Sequence, residues 1–316
     1  MTTSGRSRIT PVILTFNEER NLPACLESLA GVADRVFVVD SGSTDRTVSI
    51  ATEFGAEVFT HPFENHVRQW QWALASLPIH TPWVLALDAD QSLTAELRAS
   101  IESAVAQSQS GGADAGHAGF YLNRRQVFRG RWIRHGGYYP KYLLKLFRRD
   151  AVRLDENDLV DHHFYVDGAT ATLAGDLIEN NQNENEMSVW IAKHNRYAVL
   201  QARDEEVRIV QAGLDAAFGS PDDRTRLQKR VWQRFPLYLR PFGYFFYRYV
   251  LRLGFLDGKQ GFIFHFMQAF WYRLLVDINR DELRAAAARL REPIETPGVQ
   301  PHAEQSMDTA PSAADK

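Results

Sequence analysis

The first hundred residues alternate between short apolar runs and segments with helical spacing of their apolar positions. Apolar runs of this length, bounded by Gly, Pro, Ser or Asp, are typical of buried strands. The pattern predicts strands at 9–14, 35–39, 56–60 and 83–87, and helices at 21–30, between a Ser43 or Thr44 cap and Gly55, and at 64–77. Such alternation favours a mostly parallel sheet with helices on both faces.

Two carboxylates follow the fourth predicted strand, at Asp88 and Asp90. Residues two apart in an extended chain point to the same side, so these carboxylates converge on one point. They repel each other unless a cation lies between them, and Mg²⁺ or Mn²⁺ suits carboxylate and phosphate oxygens. A helix cap at Asp88 beside a solvated Asp90 is the alternative that this pattern leaves open.

Polar residues also follow the first two strands, at 15–18 and 40–43. Ligands of parallel sheets bind beyond the carboxyl ends of the strands, so we expect these three strand ends to share one site. The sequence lacks both the Gly-x-Gly-x-x-Gly fingerprint and the P-loop motif. A metal on Asp88 and Asp90 would therefore hold the phosphates of a nucleotide ligand.

Composition and charge limit the classes of protein to which this chain can belong. The 316 residues are 45% hydrophobic and 24% charged, which is typical of a globular protein with a full core. The net charge of −3 argues against nucleic-acid binding through a basic face. The single cysteine and the absence of a signal sequence or an 18-residue apolar run predict a cytoplasmic protein without a spanning helix.

Three segments together resemble the signatures of family-2 glycosyltransferases with the GT-A fold: PVILTFNEE at 11–19, VVDSGSTD at 38–45 and LDAD at 87–90. The resemblance implies a Rossmann-like α/β fold, with a mostly parallel sheet flanked by helices. It also implies an inverting transfer of a sugar from a nucleotide-diphosphate donor, with a UDP-sugar as the first choice and Mg²⁺ or Mn²⁺ as the cofactor.

The same resemblance implies roles for individual residues. The nucleotide-sugar site would consist of Thr15, Asn17, Glu18, Asp40, Ser41, Gly42, Ser43, Gln69, Asp88 and Ala89. Asp40 would accept a hydrogen bond from the base, and Asp88 would face the ribose or the metal. Asp90 would bind the metal that bridges the diphosphate.

An inverting transfer needs a general base near the acceptor hydroxyl. Carboxylates and histidines are concentrated at 155–163. Enzymes of the lipopolysaccharide-core type resemble this segment but read Val-His-Glu where this chain reads Val-Asp-His-His. We expect Asp161 to be the base, with His162 as the second choice and Asp158 as the third.

A basic and aromatic stretch at 124–149 is either a solvated face or a site for a diphosphate or an anionic acceptor. Its aromatic residues Trp132, Tyr138 and Tyr139 are candidates for stacking on sugars. A helix that starts at Trp190 carries Lys193, His194 and Arg196. These three either approach the donor diphosphate or form a solvated helix face.

The segments 242–258 and 261–275 are apolar on nearly all sides, but arginines interrupt both. Aromatic residues favour the headgroup level of a bilayer and arginine pairs with anionic lipid, so we expect an interfacial, peripheral membrane contact. A helical hairpin packed on the catalytic domain and a dimer interface are the alternatives. The run at 255–261 also resembles the C-terminal part of bacterial transferases of envelope polysaccharide assembly.

These patterns divide the chain into five parts. We predict disorder at 1–8, a nucleotide-sugar-binding half at 9–110, an acceptor-binding half at 111–200, a helical membrane-associating region at 201–291 and disorder at 292–316. The predicted function is metal-dependent transfer of a sugar to a lipid-linked, lipopolysaccharide or exopolysaccharide acceptor at the cytoplasmic face of the inner membrane.

Two other functions fit the sequence less well. A nucleotidyltransferase usually carries a Gly-rich basic loop after the first strand, where this chain has Asn-Glu-Glu at 17–19. A non-catalytic, nucleotide-binding scaffold at the membrane surface has no reason to keep Asp40, Asp88 and Asp90.

Overall fold

The computed structural model describes residues 8–108, 112, 114, 116–155, 163–214 and 236–289. The strands are β1 (Ile9–Thr15), β2 (Phe37–Asp40), β3 (Glu57–Thr60), β4 (Trp83–Asp88), β5 (Gln91–Leu93), β6 (His117–Phe128), β7 (Arg131–Trp132), β8 (Tyr142–Arg148), β9 (Val152–Leu154), β10 (Phe164–Val166) and β11 (Ala169–Glu179). The helices are α1 (Leu22–Ser28), α2 (Thr47–Glu53), α3 (His66–Ser76), α4 (Ala95–Gln107), α5 (Met187–Leu214), α6 (Arg240–Phe246), α7 (Gly258–His265) and α8 (Tyr272–Arg289).

One mixed sheet organises the described part of the chain, in the order β3-β2-β1-β4-β8-β6-β11-β5, with β7 paired to β6. The pairings among β3, β2, β1 and β4 are parallel, as the sequence predicts. Strand β8 runs antiparallel between β4 and β6, and β11 pairs in parallel with β6. The α/β class with flanking helices is confirmed, and the sheet is parallel in its first half and mixed beyond it.

The core lies on both faces of this sheet, because the central strands carry apolar side chains on both sides. On one face, α1 and α4 pack Leu22, Leu26 and Leu97 against the strands. On the other face, Trp70 of α3 packs with Phe147, and both are buried. Each such side chain contributes about 1.5–3 kcal/mol of burial free energy, which fixes the strand register.

The predicted cap of α2 is wrong. The N-cap position is Arg46, and the Asp45 carboxylate accepts the backbone N–H of Thr47 at 2.9 Å. Ser43 lies too early in the chain, and its hydroxyl instead bonds Asp40. Gly55 ends this helix as predicted, since its φ of +76° is costly for other residues.

The C-terminal elements form a helical layer against the second half of the sheet. Helix α5 packs along α8. Helix α6 continues into a π-helical segment at Tyr247–Leu251, and α7 joins α8 through another at Phe266–Trp271. None of the helices in the described ranges combines the length and the apolarity that crossing a membrane requires. The predicted disordered ends, 1–8 and 292–316, lie outside the described residues except for Arg8.

Candidate functional site

The ends of β1 and β2 form one wall of the candidate site. Their register places Thr15 beside Asp40, and the Thr15 hydroxyl donates to Asp40 Oδ1 at 3.0 Å. Asp40 also accepts the backbone N–H groups of Gly42 at 3.0 Å and Ser43 at 2.8 Å. The carboxylate is buried, so its immediate effect is to fix the turn at 41–43. Its predicted bond to a base stays a prediction.

The turn after β1 is locked to the turn after β2. Asn17 has a left-handed backbone with φ of +56°, a conformation that Asn tolerates better than most residues. Its backbone N–H donates to Ser43 Oγ at 2.8 Å, and its side-chain Oδ1 accepts the Thr44 N–H at 2.8 Å. The two turns therefore present a preformed edge rather than separate loops.

Glu18 faces the interior of this edge. Its carboxylate accepts the side-chain amides of Asn21 at 2.6 Å and Asn183 at 3.3 Å. Burial raises the pKa of Glu18, and the nearby charge of Asp88 raises it further. Asn183 follows β11, so the second half of the chain helps to close this edge of the site.

Gln69 lies behind the second turn. It is fully buried on α3, and its amide Nε2 donates to Ser41 Oγ and to the carbonyl of His61, both at 3.2 Å. The structure thus places Gln69 where it supports Ser41. Contact between Gln69 and a nucleotide stays a prediction.

Asp88 and Asp90 lie at the end of β4, beside the β1 turn. Asp88 Oδ2 accepts a hydrogen bond from Lys145 Nζ at 2.9 Å, and Lys145 is buried on β8. Gln91 Oε1 accepts the Asp88 backbone N–H at 3.1 Å. Ala89 is buried between the two carboxylates. The helix-cap alternative for Asp88 does not apply, because Thr94 caps α4.

Asp90 is half-buried, and within the described residues its carboxylate has no direct hydrogen-bond or salt-bridge partner. Burial raises its pKa well above the ordinary value, and the negative charges of Glu179, Asp88 and Glu18 raise it further. The positive charge of Lys193 lowers the pKa of Asp90, but Lys193 is itself paired with Glu184. The site therefore concentrates negative charge around one uncompensated carboxylate.

Several of the groups around this carboxylate were missed at the sequence level. Glu179, at the end of β11, accepts hydrogen bonds from Gln91 at 3.0 Å and Arg124 at 3.1 Å. Lys145 belongs to the basic stretch at 124–149, in which the sequence analysis gives it no role of its own. A lone lysine within the apolar strand sequence YLLKLFR is the signal that could have identified it. Asn183 and Glu179 carry no comparable local signal.

Divalent metal binding fits this arrangement when a ligand supplies further oxygens. Among the described residues, no group of three His, Cys, Asp or Glu side chains is arranged to hold a metal ion without other ligands. Asp88 and Asp90 offer two carboxylates in a region of excess negative charge. Mg²⁺ typically uses one or two carboxylates together with phosphate oxygens, so this donor set suits a cation that arrives with a diphosphate.

At three positions of the basic stretch 124–149, the side chain forms an internal ion pair instead of belonging to a solvated face. Arg124 pairs with Glu179, Arg125 with Asp176 and Lys145 with Asp88. These pairs tie β6 and β8 to the strands beside them. Their cations neutralise neighbouring carboxylates and leave Asp90 without a direct partner.

The three aromatic residues predicted to stack on sugars already contact other side chains of the protein. The Arg125 guanidinium lies 4.3 Å from the centre of the Trp132 ring, and Tyr139 meets that ring edge-on at 4.9 Å. The Tyr139 hydroxyl donates to Asp176 at 3.0 Å. Tyr138 packs inward against Phe264, at 4.7 Å between ring centres.

The three residues Lys193, His194 and Arg196 have different surroundings, and their approach to a donor diphosphate stays a prediction. Lys193 lies on the site side, where the charge and hydrogen bond of Glu184 outweigh burial and raise its pKa. His194 stacks on Trp190 at 3.5 Å, and burial lowers its pKa. Arg196 is exposed to solvent.

The three candidate bases, Asp161, His162 and Asp158, lie outside the described residues. The described strands on either side pair with each other, since Leu154 is opposite Phe164. The assignment of a base within this segment stays a prediction.

Comparison with known proteins agrees with the motifs. The profile of glycosyl transferase family 2 matches residues 10–166. An uncharacterized glycosyltransferase of Rickettsia conorii is 40% identical over 102 residues, which cover 32% of this chain and 36% of that protein. The matched segment thus spans about a third of the length of that relative.

Two further similarities extend this comparison. The lipopolysaccharide core biosynthesis glycosyltransferase LpsC of Rhizobium meliloti is 29% identical over 62% of this chain and 70% of its own length. Glucosyl-3-phosphoglycerate synthase from Mycobacterium tuberculosis, solved with Mn²⁺, UDP-glucose and phosphoglyceric acid, superposes with a TM-score of 0.29 at 24% identity, over 40% of this chain and 45% of its own. That structural likeness is too weak to support a functional argument. The profile match and the motifs together show that this chain belongs to glycosyl transferase family 2 and resembles its lipopolysaccharide-core members.

Proposed function

We propose that this protein is a metal-dependent, inverting glycosyltransferase that takes its sugar from a nucleotide-diphosphate donor, with a UDP-sugar as the first choice. The uncompensated Asp90 carboxylate, surrounded by Asp88, Glu179 and Glu18, is the observation that carries this proposal. It adjoins the turns at 15–18 and 40–43, where the family resemblance puts the nucleoside. A donor whose diphosphate arrives with a divalent cation would match both features.

The residues of the site would divide the work as follows. Asp88 and Asp90 would hold Mg²⁺ or Mn²⁺, and the bound cation would stabilise negative charge on the departing nucleoside diphosphate. The Asp40 turn and Asn17 would hold the nucleoside. The acceptor oxygen would bond to the anomeric carbon from the face opposite the diphosphate while the bond to the diphosphate breaks. Asp161, His162 or Asp158 would take the acceptor proton.

The acceptor is the second part of the proposal. The name of the relative LpsC supports a lipopolysaccharide acceptor, and a lipid-linked or exopolysaccharide acceptor has the same reactive hydroxyl group. Lipid-borne acceptors are reached only at a bilayer surface. The proposal therefore includes peripheral contact with the cytoplasmic face of the inner membrane.

The test is transfer from a panel of nucleotide-sugars by the purified full chain with Mn²⁺, using lipopolysaccharide-core oligosaccharides as acceptors. We expect release of a nucleoside diphosphate and a product of inverted anomeric configuration. Asp90→Asn should lower the rate on the order of 10²–10³-fold, because weaker binding of the cation removes electrostatic stabilisation of the leaving group. The exposed Asp150→Asn variant is the control and should retain the wild-type rate. Release of pyrophosphate would indicate nucleotidyl transfer and contradict the proposal.

A further inference from the structure

The surface formed by α6, the π-helical segment after it, the turn at Gly254–Asp257 and α7 is unusually apolar. We name this region, residues 239–266, the aromatic hairpin. Its exposed side chains include Leu239, Phe242, Phe246, Tyr247, Val250, Leu251, Leu253, Phe255, Leu256, Phe262 and Phe266. Leu251 is 61% exposed and Phe242 is 59% exposed, although neither lies in a loop. Contiguous apolar exposure of this kind marks an interaction surface.

The exposed residues form one surface rather than scattered contacts. On the first arm they recur at three- and four-residue intervals, as in 239, 242, 246 and 250, which is one face of a helix. On the second arm, exposed Lys259, Phe262 and Phe266 repeat this spacing along α7 and its extension, and exposed Phe255 lies on the turn before it. Rings of the two arms meet, with Phe245 5.9 Å from Phe266 and Tyr249 5.6 Å from Phe262.

The charges at this surface all have one sign. Between positions 236 and 276 the sequence has one acidic residue, Asp257. Asp257 is buried and accepts hydrogen bonds from the backbone and ring of His135. The exposed charged residues of the aromatic hairpin are Arg252 and Lys259. Exposed apolar and aromatic side chains with cations and no exposed carboxylate match an anionic lipid surface.

A second copy of the chain fits this surface less well. Two copies of the hairpin facing each other would bring Arg252 and Lys259 towards their own like charges, with no exposed carboxylate of the hairpin to pair with them. Like charges opposed in an interface cost free energy. A layer of anionic headgroups over apolar acyl chains supplies both the counter-charge and the apolar partner.

The aromatic hairpin is fastened to the acceptor half of the sheet. The Gly136 N–H donates to the Arg252 carbonyl at 2.8 Å, and Arg248 Nη1 donates to the Gly136 carbonyl at 2.7 Å. Arg248 also lies 4.5 Å from the centre of the Tyr138 ring. The adjacent Tyr139 reaches β11 through Asp176. A bilayer bound to the hairpin would therefore lie beside the acceptor half rather than the nucleotide turns.

We propose that the aromatic hairpin docks on an anionic bilayer and presents the acceptor half to lipid-borne acceptors. The orientation rests on the proposed function, whereas docking itself does not. The test of docking is flotation of the full chain with vesicles of phosphatidylcholine alone or mixed with phosphatidylglycerol. The wild type should float with the mixed vesicles and weakly with the neutral ones.

Two double variants and one control make the test specific. Phe246→Glu with Leu251→Glu should reduce binding to the anionic vesicles about tenfold or more, because two inserted apolar groups become charged. Arg252→Glu with Lys259→Glu should remove the preference for phosphatidylglycerol. Phe54→Glu with Phe63→Glu alters equally exposed aromatic residues of the nucleotide half and should bind like the wild type.

Unchanged flotation of the Phe246→Glu, Leu251→Glu variant, with its circular dichroism and melting temperature retained, would overturn the proposal. A wild-type dimer in light scattering that this variant converts to monomers, without vesicle binding by either protein, would replace it with a self-association surface. Stabilisation by UDP and Mn²⁺ is measured in parallel. If UDP and Mn²⁺ do not raise the melting temperature of the wild type, that result would count against the proposed function and not against docking.

Discussion

Two clusters of carboxylates in this molecule have opposite electrostatic surroundings. In the site at the end of β4, burial and neighbouring negative charges raise the pKa values of Glu18 and Asp90. Between α5 and α8, burial alone would raise the pKa values of Glu205 and Glu206, but nearby arginines lower them. In the second cluster each carboxylate is paired with an arginine, whereas in the first Asp88 and Glu179 have cation partners and Asp90 has none among the described residues.

The difference separates carboxylates that stabilise the fold from carboxylates for which we propose a role in binding. Arg240 and Asp277 are both buried and form a direct ion pair, and Arg280 bonds both Glu205 and Glu206. Each acid there has a cation partner, so the network needs nothing from outside. Asp90 lacks such a partner among the described residues, which is the arrangement expected if the proposed cation binds there.

Breaking the paired cluster should have the largest effect on folding. Arg240→Met would leave Asp277 buried without its arginine, and removal of one partner of a buried pair costs about 3–5 kcal/mol. We expect a loss of that size in the unfolding free energy measured by denaturant titration. Arg35→Met removes an exposed pair with Glu57 and should cost less than about 1 kcal/mol. Equal effects of the two variants would contradict the structural role of the network.

Acid should weaken the same cluster. The folded-state pKa values of Glu205 and Glu206 lie below their ordinary value of 4.5, so the charged form is favoured by folding. Their contribution to stability is complete above pH 4.5 and is lost as the pH falls through the lowered folded-state values. Melting temperatures measured from pH 6 downwards should show this loss for the wild type. A Glu205→Gln, Glu206→Gln variant should be less stable at neutral pH and should lose less on acidification.

A smaller effect is expected when the positive charge beside Asp88 is removed. Lys145→Met removes the cation that bonds Asp88, so the local potential becomes more negative. We expect Mn²⁺, titrated in the presence of UDP, to bind several-fold more tightly to this variant than to the wild type, as measured by isothermal titration calorimetry. Lys259→Met, which removes a lysine from the aromatic hairpin, is the matched control and should leave Mn²⁺ binding unchanged. Weaker Mn²⁺ binding by Lys145→Met would show that Lys145 orders Asp88 for the metal instead of competing with it.

The sequence was most informative where structure depends on local pattern. The four parallel strands and three helices of the first half follow from apolar periodicity, and the carboxyl ends of these strands meet as expected. The cap of α2 was missed because Ser43, Thr44 and Asp45 are all good capping residues, and only their tertiary contacts separate them.

The rest of the site depends on strand order that no local pattern specifies. Lys145 reaches Asp88 because β8 inserts antiparallel beside β4, and Glu179 approaches Asp90 because β11 pairs antiparallel with β5, where Glu179 is opposite Gln91. The inward packing of Tyr138 is equally non-local, since its partner Phe264 is more than a hundred residues away in sequence.

We propose that the Asp90 carboxylate has no cation partner in the described chain because it holds a cation together with a nucleotide diphosphate. Calorimetric titration of Mn²⁺ into the full chain with UDP tests it most directly, with Asp90→Asn compared against Asp150→Asn. We predict that Asp90→Asn loses Mn²⁺ affinity by on the order of 10²-fold, as expected when a carboxylate ligand becomes neutral, while Asp150→Asn binds like the wild type. Equal Mn²⁺ affinity in Asp90→Asn and the wild type, with both proteins folded, would contradict the claim.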